Sequence, residues 1–206
     1  TIARELERIL PNSKLYNNHL LIEPVAPLVD RSSPEYDTIR TNLRRHILDV
    51  IATSEATRGI TWIFTDARCT SEVGCDAVHD YVDAAIKRGV RIVPVLATCD
   101  REENERRVVH EGRGEGGSTK MRDVRALWDV RIREEMYLFR NGLELELDVS
   151  SLSPQEAAQR ILEHSAKVMG RSQLPCASPR SPESWSSSPP MHSTGRFSDV
   201  SIPISG

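Results

Sequence analysis

One short run constrains the fold of this chain more than any other: Ile60-Thr61-Trp62-Ile63-Phe64-Thr65-Asp66. Gly59 precedes it and polar residues follow it. An apolar run of this length between turn signals reads as a strand buried on both faces. Such strands belong to parallel sheets covered by helices. In open α/β sheets the ligand site lies beyond the carboxyl ends of the strands, which is where Asp66 falls.

The flanking segments alternate in kind. Residues 1–10 place Ile2, Leu6 and Ile9 or Leu10 on one helical face and stop at Pro11. Residues 14–16 read as a short strand, followed by Asn17, Asn18 and His19 and then by an apolar stretch broken by Pro24 and Pro27. Tyr36, Ile39, Leu43, Ile47 and Val50 step by three and four through a helix over residues 34–56. Ser33 is its expected N-cap, with Pro34 at the first helical position. Arg40, Arg44 and Arg45 fall on other faces and read as solvated.

After Asp66 a polar loop leads to a helix over 76–88 with Val78, Val82, Ala85 and Ile86 inward, capped by Gly89. Residues 90–98 form the next expected strand, with a bulge or an edge position at Pro94, because proline cannot donate to a ladder. A charged helix spans 100–109, a glycine-rich loop 111–120, and a further helix 123–139. Residues 144–149 alternate as a strand, and Ser150-Ser151-Leu152-Ser153-Pro154-Gln155-Glu156 has the character of a capped helix start. That last helix is expected to bury Ala158, Ile161, Leu162 and Ser165 or Val168.

This alternation argues for an α/β fold, a doubly wound parallel sheet, in one domain over residues 1–169. Beyond Gly170 serine and proline dominate. Such a composition cannot offset the entropy of ordering, so residues 170–206 are expected to be a disordered tail. The pairs Ser178-Pro179 and Ser181-Pro182 are its phosphorylation candidates.

Over the 206 residues the net charge of -3 gives no electrostatic footprint for nucleic acid or a membrane surface. No window is apolar enough to cross a bilayer, and the opening residues lack a signal-peptide pattern. The cysteines Cys69, Cys75, Cys99 and Cys176 form no C-x-x-C, and no histidine pair lies at zinc-ligand spacing. Free thiols in a reducing, cytoplasmic setting are the expectation.

Several segments in this order resemble a known family. Thr1-Ile2-Ala3-Arg4-Glu5-Leu6 resembles the helix after a Walker A loop, and Leu15-Tyr16-Asn17-Asn18-His19 resembles the second-strand segment that meets the acceptor. Trp62-Ile63-Phe64-Thr65-Asp66 resembles the third strand. The segment from Cys99 to Arg107 resembles the helix leading into a lid, and Leu147 to Ala158 the final strand and helix. Together they resemble small P-loop kinases of the AAA-type ATPase or chloramphenicol-phosphotransferase-like group, including its fungal members, over residues 1–168.

The resemblance implies ATP and Mg²⁺ as cofactors and a small hydroxyl-bearing substrate. It also implies a strand order of 2-3-1-4-5. In that family the first strand and its G-x-x-x-x-G-K-[ST] loop come before the position of Thr1, and the motif occurs nowhere in this sequence. A Walker A loop wraps phosphates with backbone N–H groups and neutralises them with its lysine. An N-terminally truncated domain is therefore expected, inactive alone, with the third and fourth strands separated by the place of the missing one. The gap would be roughly 5 Å on each side.

Within the resemblance, Asp66 is the candidate base or metal carboxylate. Arg106, Arg107 and Arg113 are candidate lid arginines that meet phosphate, with Thr1 and Lys120 as further nucleotide contacts. Asn18 and His19 are the candidates for holding the acceptor. Two other readings stand beside this one. The first is an interaction or regulatory protein that retains the scaffold without nucleotide chemistry, and the second is a hydrolase without an acceptor.

Overall fold

The computed structural model describes residues 1–110, 121–133 and 135–170. Of the expected tail, Gly170 lies in a helix, and the rest of the tail and the glycine-rich loop, with Arg113 and Lys120, lie outside the described residues.

The elements are α1 (Ile2–Ile9), β1 (Ser13–Asn17), α2 (His19–Ile22), α3 (Tyr36–Thr53), a 3-10 turn (Glu55–Thr57), β2 (Thr61–Thr65), α4 (Glu72–Arg88), β3 (Val95–Thr98), α5 (Arg101–Val109), α6 (Val124–Arg133), β4 (Leu145–Asp148) and α7 (Pro154–Gly170). The architecture is mixed α/β with two small parallel sheets. β1 pairs with β2 in register Ser13 to Thr61, and β3 pairs with β4 in register Val95 to Leu145.

The described strands therefore do not form one doubly wound sheet, and β2 and β3 share no ladder. In a parallel pair alternate residues turn their peptide groups toward one neighbour. Thr61 N–H donates to Asn12 O at 2.8 Å, so the peptide groups of Trp62 and Phe64 face away from β1. Leu145 N–H donates to Pro94 O at 2.9 Å, so those of Val95 and Ala97 face away from β4. The outer side of β1 is covered in part: Leu15 N–H donates to Glu7 Oε1 at 2.8 Å.

The expectation that the central run is buried on both faces is corrected. Thr61 is exposed, Trp62, Ile63 and Phe64 are half-buried, and Thr65 alone of the strand is buried.

Proline decides the length of β3. The strand begins only after Pro94, whose carbonyl accepts from Leu145, so residues 90–94 stay out of the ladder. α3 starts two residues later than expected, with Ser33 Oγ accepting from Glu35 N–H at 3.3 Å just before it. α4 starts earlier, at Glu72, because Ser71 caps it through Gly74 N–H at 3.2 Å. α6 ends at Arg133 rather than near Phe139, and Met136 instead bridges to Cys69.

Two cores result. One lies where α1 and α7 meet β3 and β4, around Ile2, Leu147, Val149, Ala157 and Ile161. The other lies under α2, α3 and α4, with Leu21, Val25, Tyr36, Leu48 and Val78 buried. Ile86, expected inward on α4, is 58% exposed, while Ala77 and Val78 are buried. The cap of α7 closes as a reciprocal box: Glu156 N–H donates to Ser153 Oγ at 3.2 Å, and Ser153 N–H to Glu156 Oε2 at 2.9 Å. Among the described residues Cys69, Cys75 and Cys99 are free, and no helix is long and apolar enough to cross a membrane.

Candidate functional site

The parallel pairing of β1 and β2 brings their carboxyl ends together. Asn18 N–H donates to Thr65 O at 3.1 Å, which sets Asn18 one peptide away from Asp66. Asp66 is fixed from two sides. Arg68 places Nε 2.7 Å and Nη2 2.5 Å from Oδ2, and the Tyr81 hydroxyl donates to the same oxygen at 3.0 Å. The side chains of Asp66 and Arg68 are only 7% and 10% exposed.

Burial pushes the Asp66 carboxyl above the usual carboxylate range, against the opposing pull of Arg68, Tyr81 and Arg40. Burial, with the Asp66 charge beside it, also drives the Tyr81 phenol upward, so Tyr81 is a fixed donor. Phe64 packs between Tyr81, at 5.0 Å between ring centroids, and Tyr16, at 6.1 Å.

Asp66 Oδ1, Asn18 Oδ1, the Tyr36 hydroxyl and Arg40 Nε are each buried without a hydrogen-bond partner. Asn18 and Asp66 sit on adjoining strand ends. The Arg40 guanidinium carbon lies 5.9 Å from the centre of the Tyr36 ring, and its charge acts on Asp66. Buried polar groups are ordinarily paired, and leaving one unpaired costs about 1–3 kcal/mol. Asn18 Oδ1 and Asp66 Oδ1 put two such atoms at the adjoining ends of β1 and β2.

His19 begins α2. Its backbone N–H is taken by Asn17 Oδ1 at 3.0 Å, and its Nδ1 lies 3.7 Å from Glu23. It therefore turns along its own helix, while Asn18 beside it keeps a buried oxygen. Thr1 is exposed at the N-cap of α1 and makes no side-chain cap.

Arg106 and Arg107 sit on α5, and Glu103 takes both. Arg106 donates twice, at 2.6 Å each, and Arg107 Nε once, at 2.6 Å. Arg107 also donates to Val149 O at 2.9 Å, tying α5 to the end of β4. The hydrogen bond from Arg106, with the further help of Arg107, holds the Glu103 carboxyl down at about 2. The structure does not bring these arginines together with Asp66 and Asn18 through any hydrogen bond or ion pair among the described residues.

The arginines of α3 are where the sequence misleads most. Arg44, read as solvated, is 1% exposed. It donates to Asp80 Oδ2 through Nε at 2.9 Å and Nη2 at 2.7 Å, and Arg45 Nε reaches the other Asp80 oxygen at 2.8 Å. Tyr36, Arg40 and Arg44 recur at i, i+4 and i+8, one face of the helix. That spacing was the available signal. Tyr81 and Arg68 carry no comparable one, because only the fold brings Tyr81 to Asp66.

No protein-family model matches the chain, and a comparison with curated proteins finds no match. Among solved structures it is similar to that of the Deinococcus radiodurans tunicamycin resistance protein. The TM-score is 0.41 at 15% sequence identity, over 82% of this chain and 87% of that one. A likeness at that level decides nothing about family or activity.

Proposed function

We propose that the chain is a small-molecule-binding scaffold of the P-loop kinase kind, which holds a hydroxyl-bearing molecule where β1 and β2 end. The observation that carries this reading is the pair of buried, unpartnered acceptors, Asn18 Oδ1 and Asp66 Oδ1, on adjoining strand ends. A ligand hydroxyl is a donor of the right size to satisfy either. The separation of β2 from β3 supports the scaffold, since the kinases it resembles hold a further parallel strand between those positions.

ATP and Mg²⁺ remain implied by the resemblance. The described residues do not themselves fit them. Asp66 is engaged by Arg68 and Tyr81, Arg106 and Arg107 are engaged by Glu103, and no group of three or more metal-ligating side chains gathers among the described residues. No step is routed through either cofactor. The same internal pairing favours a second reading, an interaction or regulatory protein that retains the scaffold without transfer chemistry.

Calorimetric titration with glycerol, followed by ³¹P spectroscopy in the presence of Mg-ATP, tests the first reading against the second. Saturable glycerol binding, weakened at least about tenfold by Asn18→Ala (about 1.4 kcal/mol), is expected, with no phosphate transfer by this chain alone. Absence of saturable binding, or binding indifferent to Asn18→Ala, overturns the first reading and leaves the second.

A further inference from the structure

The neighbourhood of Asp66 holds more positive than negative charge. Arg40, Arg44 and Arg68 bring three guanidinium groups, and Asp66 and Asp80 bring two carboxylates. Arg68 is matched by Asp66. Arg44 is matched by Asp80, which it shares with the exposed Arg45. Arg40 makes no ion pair among the described residues. Its contacts are the face of the Tyr36 ring and the longer-range pull of Asp66.

The unpartnered atoms also differ in kind by place. Among the described residues Arg40 Nε, Arg44 Nη1 and Arg68 Nη2 are charged donors without a hydrogen-bond partner, Arg40 being the one of the three outside an ion pair, and the Tyr36 hydroxyl, on a residue 4% exposed, can also donate. Asn18 Oδ1 only accepts, and Asp66 Oδ1 accepts when the carboxyl is ionised. A neutral polyol satisfies the acceptors and leaves the guanidinium uncompensated. Arg40 as a whole is half-buried, and its buried Nε is the donor that a neutral polyol leaves unmet.

Resting on the reading above, we infer that the ligand is an anion with a neighbouring hydroxyl group, a hydroxy acid or a phosphate monoester of a small polyol. Its charged oxygens lie against Arg40 Nε and the Tyr36 hydroxyl, and its hydroxyl faces Asn18 and Asp66. Charge-assisted hydrogen bonds from guanidinium to carboxylate or phosphate are the strong ones, and arginine suits both anions. Arg40 is therefore the residue that separates an anionic ligand from a neutral one.

The test is calorimetric titration of the chain with glycerol, glycerate, glycerol 3-phosphate and propionate. Glycerate or glycerol 3-phosphate is expected to bind at least about tenfold more tightly than glycerol, and the better of the two names the anion. Arg40→Gln is expected to remove that advantage, so that the anions bind this variant no more tightly than glycerol does. Arg40→Lys keeps part of the advantage, and Tyr36→Phe, which retains the ring, reduces it. Thermal unfolding of each variant verifies that it is folded. If glycerol binds as tightly as both anions, the inference is overturned and the hydroxyl reading stands. If propionate binds as tightly as glycerate and both depend on Arg40, the anion site stands and the hydroxyl reading falls. If none of the four binds, both fall.

Discussion

Arg68 grips one oxygen of Asp66, through Nε at 2.7 Å and Nη2 at 2.5 Å, and leaves the other without a partner. One carboxylate thus holds the loop after β2 in place and keeps an acceptor in reserve. The two duties separate on mutation. Asp66→Asn strands the buried guanidinium of Arg68 and is expected to cost about 3–5 kcal/mol. Tyr81→Phe removes a single hydrogen bond to the same oxygen and is expected to cost about 1 kcal/mol. Urea denaturation of both variants checks the ranking.

Arg44 and Asp80 make the same point about burial. Arg44 is 1% exposed and Arg45 is exposed, yet both reach Asp80. Arg44→Met leaves Asp80 with the exposed partner alone and is expected to destabilise by about 3 kcal/mol. Arg45→Ala is expected to change stability by less than about 1 kcal/mol, since exposed ion pairs contribute little. Equal effects from the two substitutions in urea denaturation would contradict this account of α3.

Glu103 makes part of the stability depend on acid. Its folded carboxyl, held at about 2 by Arg106 and Arg107, lies below the ordinary value of 4.5. A depressed carboxylate contributes stability that is fully present above its unfolded pKa and lost as pH falls through the folded one. The penalty of Glu103→Gln should therefore be larger at pH 6 than at pH 2. Unfolding curves at the two values check the sign.

Close approach explains one glycine. A Cβ on Gly74 would stand 2.2 Å from the Cys69 carbonyl oxygen, a backbone atom that cannot swing aside. Gly74→Ala is expected to destabilise by about 1–3 kcal/mol through a shift of the loop that carries Arg68. Thermal unfolding reads the loss.

The parts of the fold that were legible in the sequence are local ones. Gly89 ends α4 in the left-handed conformation that glycine favours, at φ 75°. The Ser153–Glu156 cap needs only its own four residues. Arg44 and Asp80 are 36 residues apart, and Tyr81 meets Asp66 across 15, so no local pattern announces either contact. Amphipathic spacing alone assigns Arg44 to solvent, because it counts apolar residues and cannot see a buried ion pair. Ile86 was misplaced inward for a related reason: periodicity gives a face, and the neighbouring layer decides how wide that face is.

Backbone amide chemical shifts of the chain during a glycerol titration test the central claim most directly. Saturable shifts centred on Asn18, Thr65 and Asp66, lost in Asn18→Ala, are the predicted result. Shifts that never saturate, or that gather instead in the groove between α1 and α7 around Arg8 and Gln159, would contradict it.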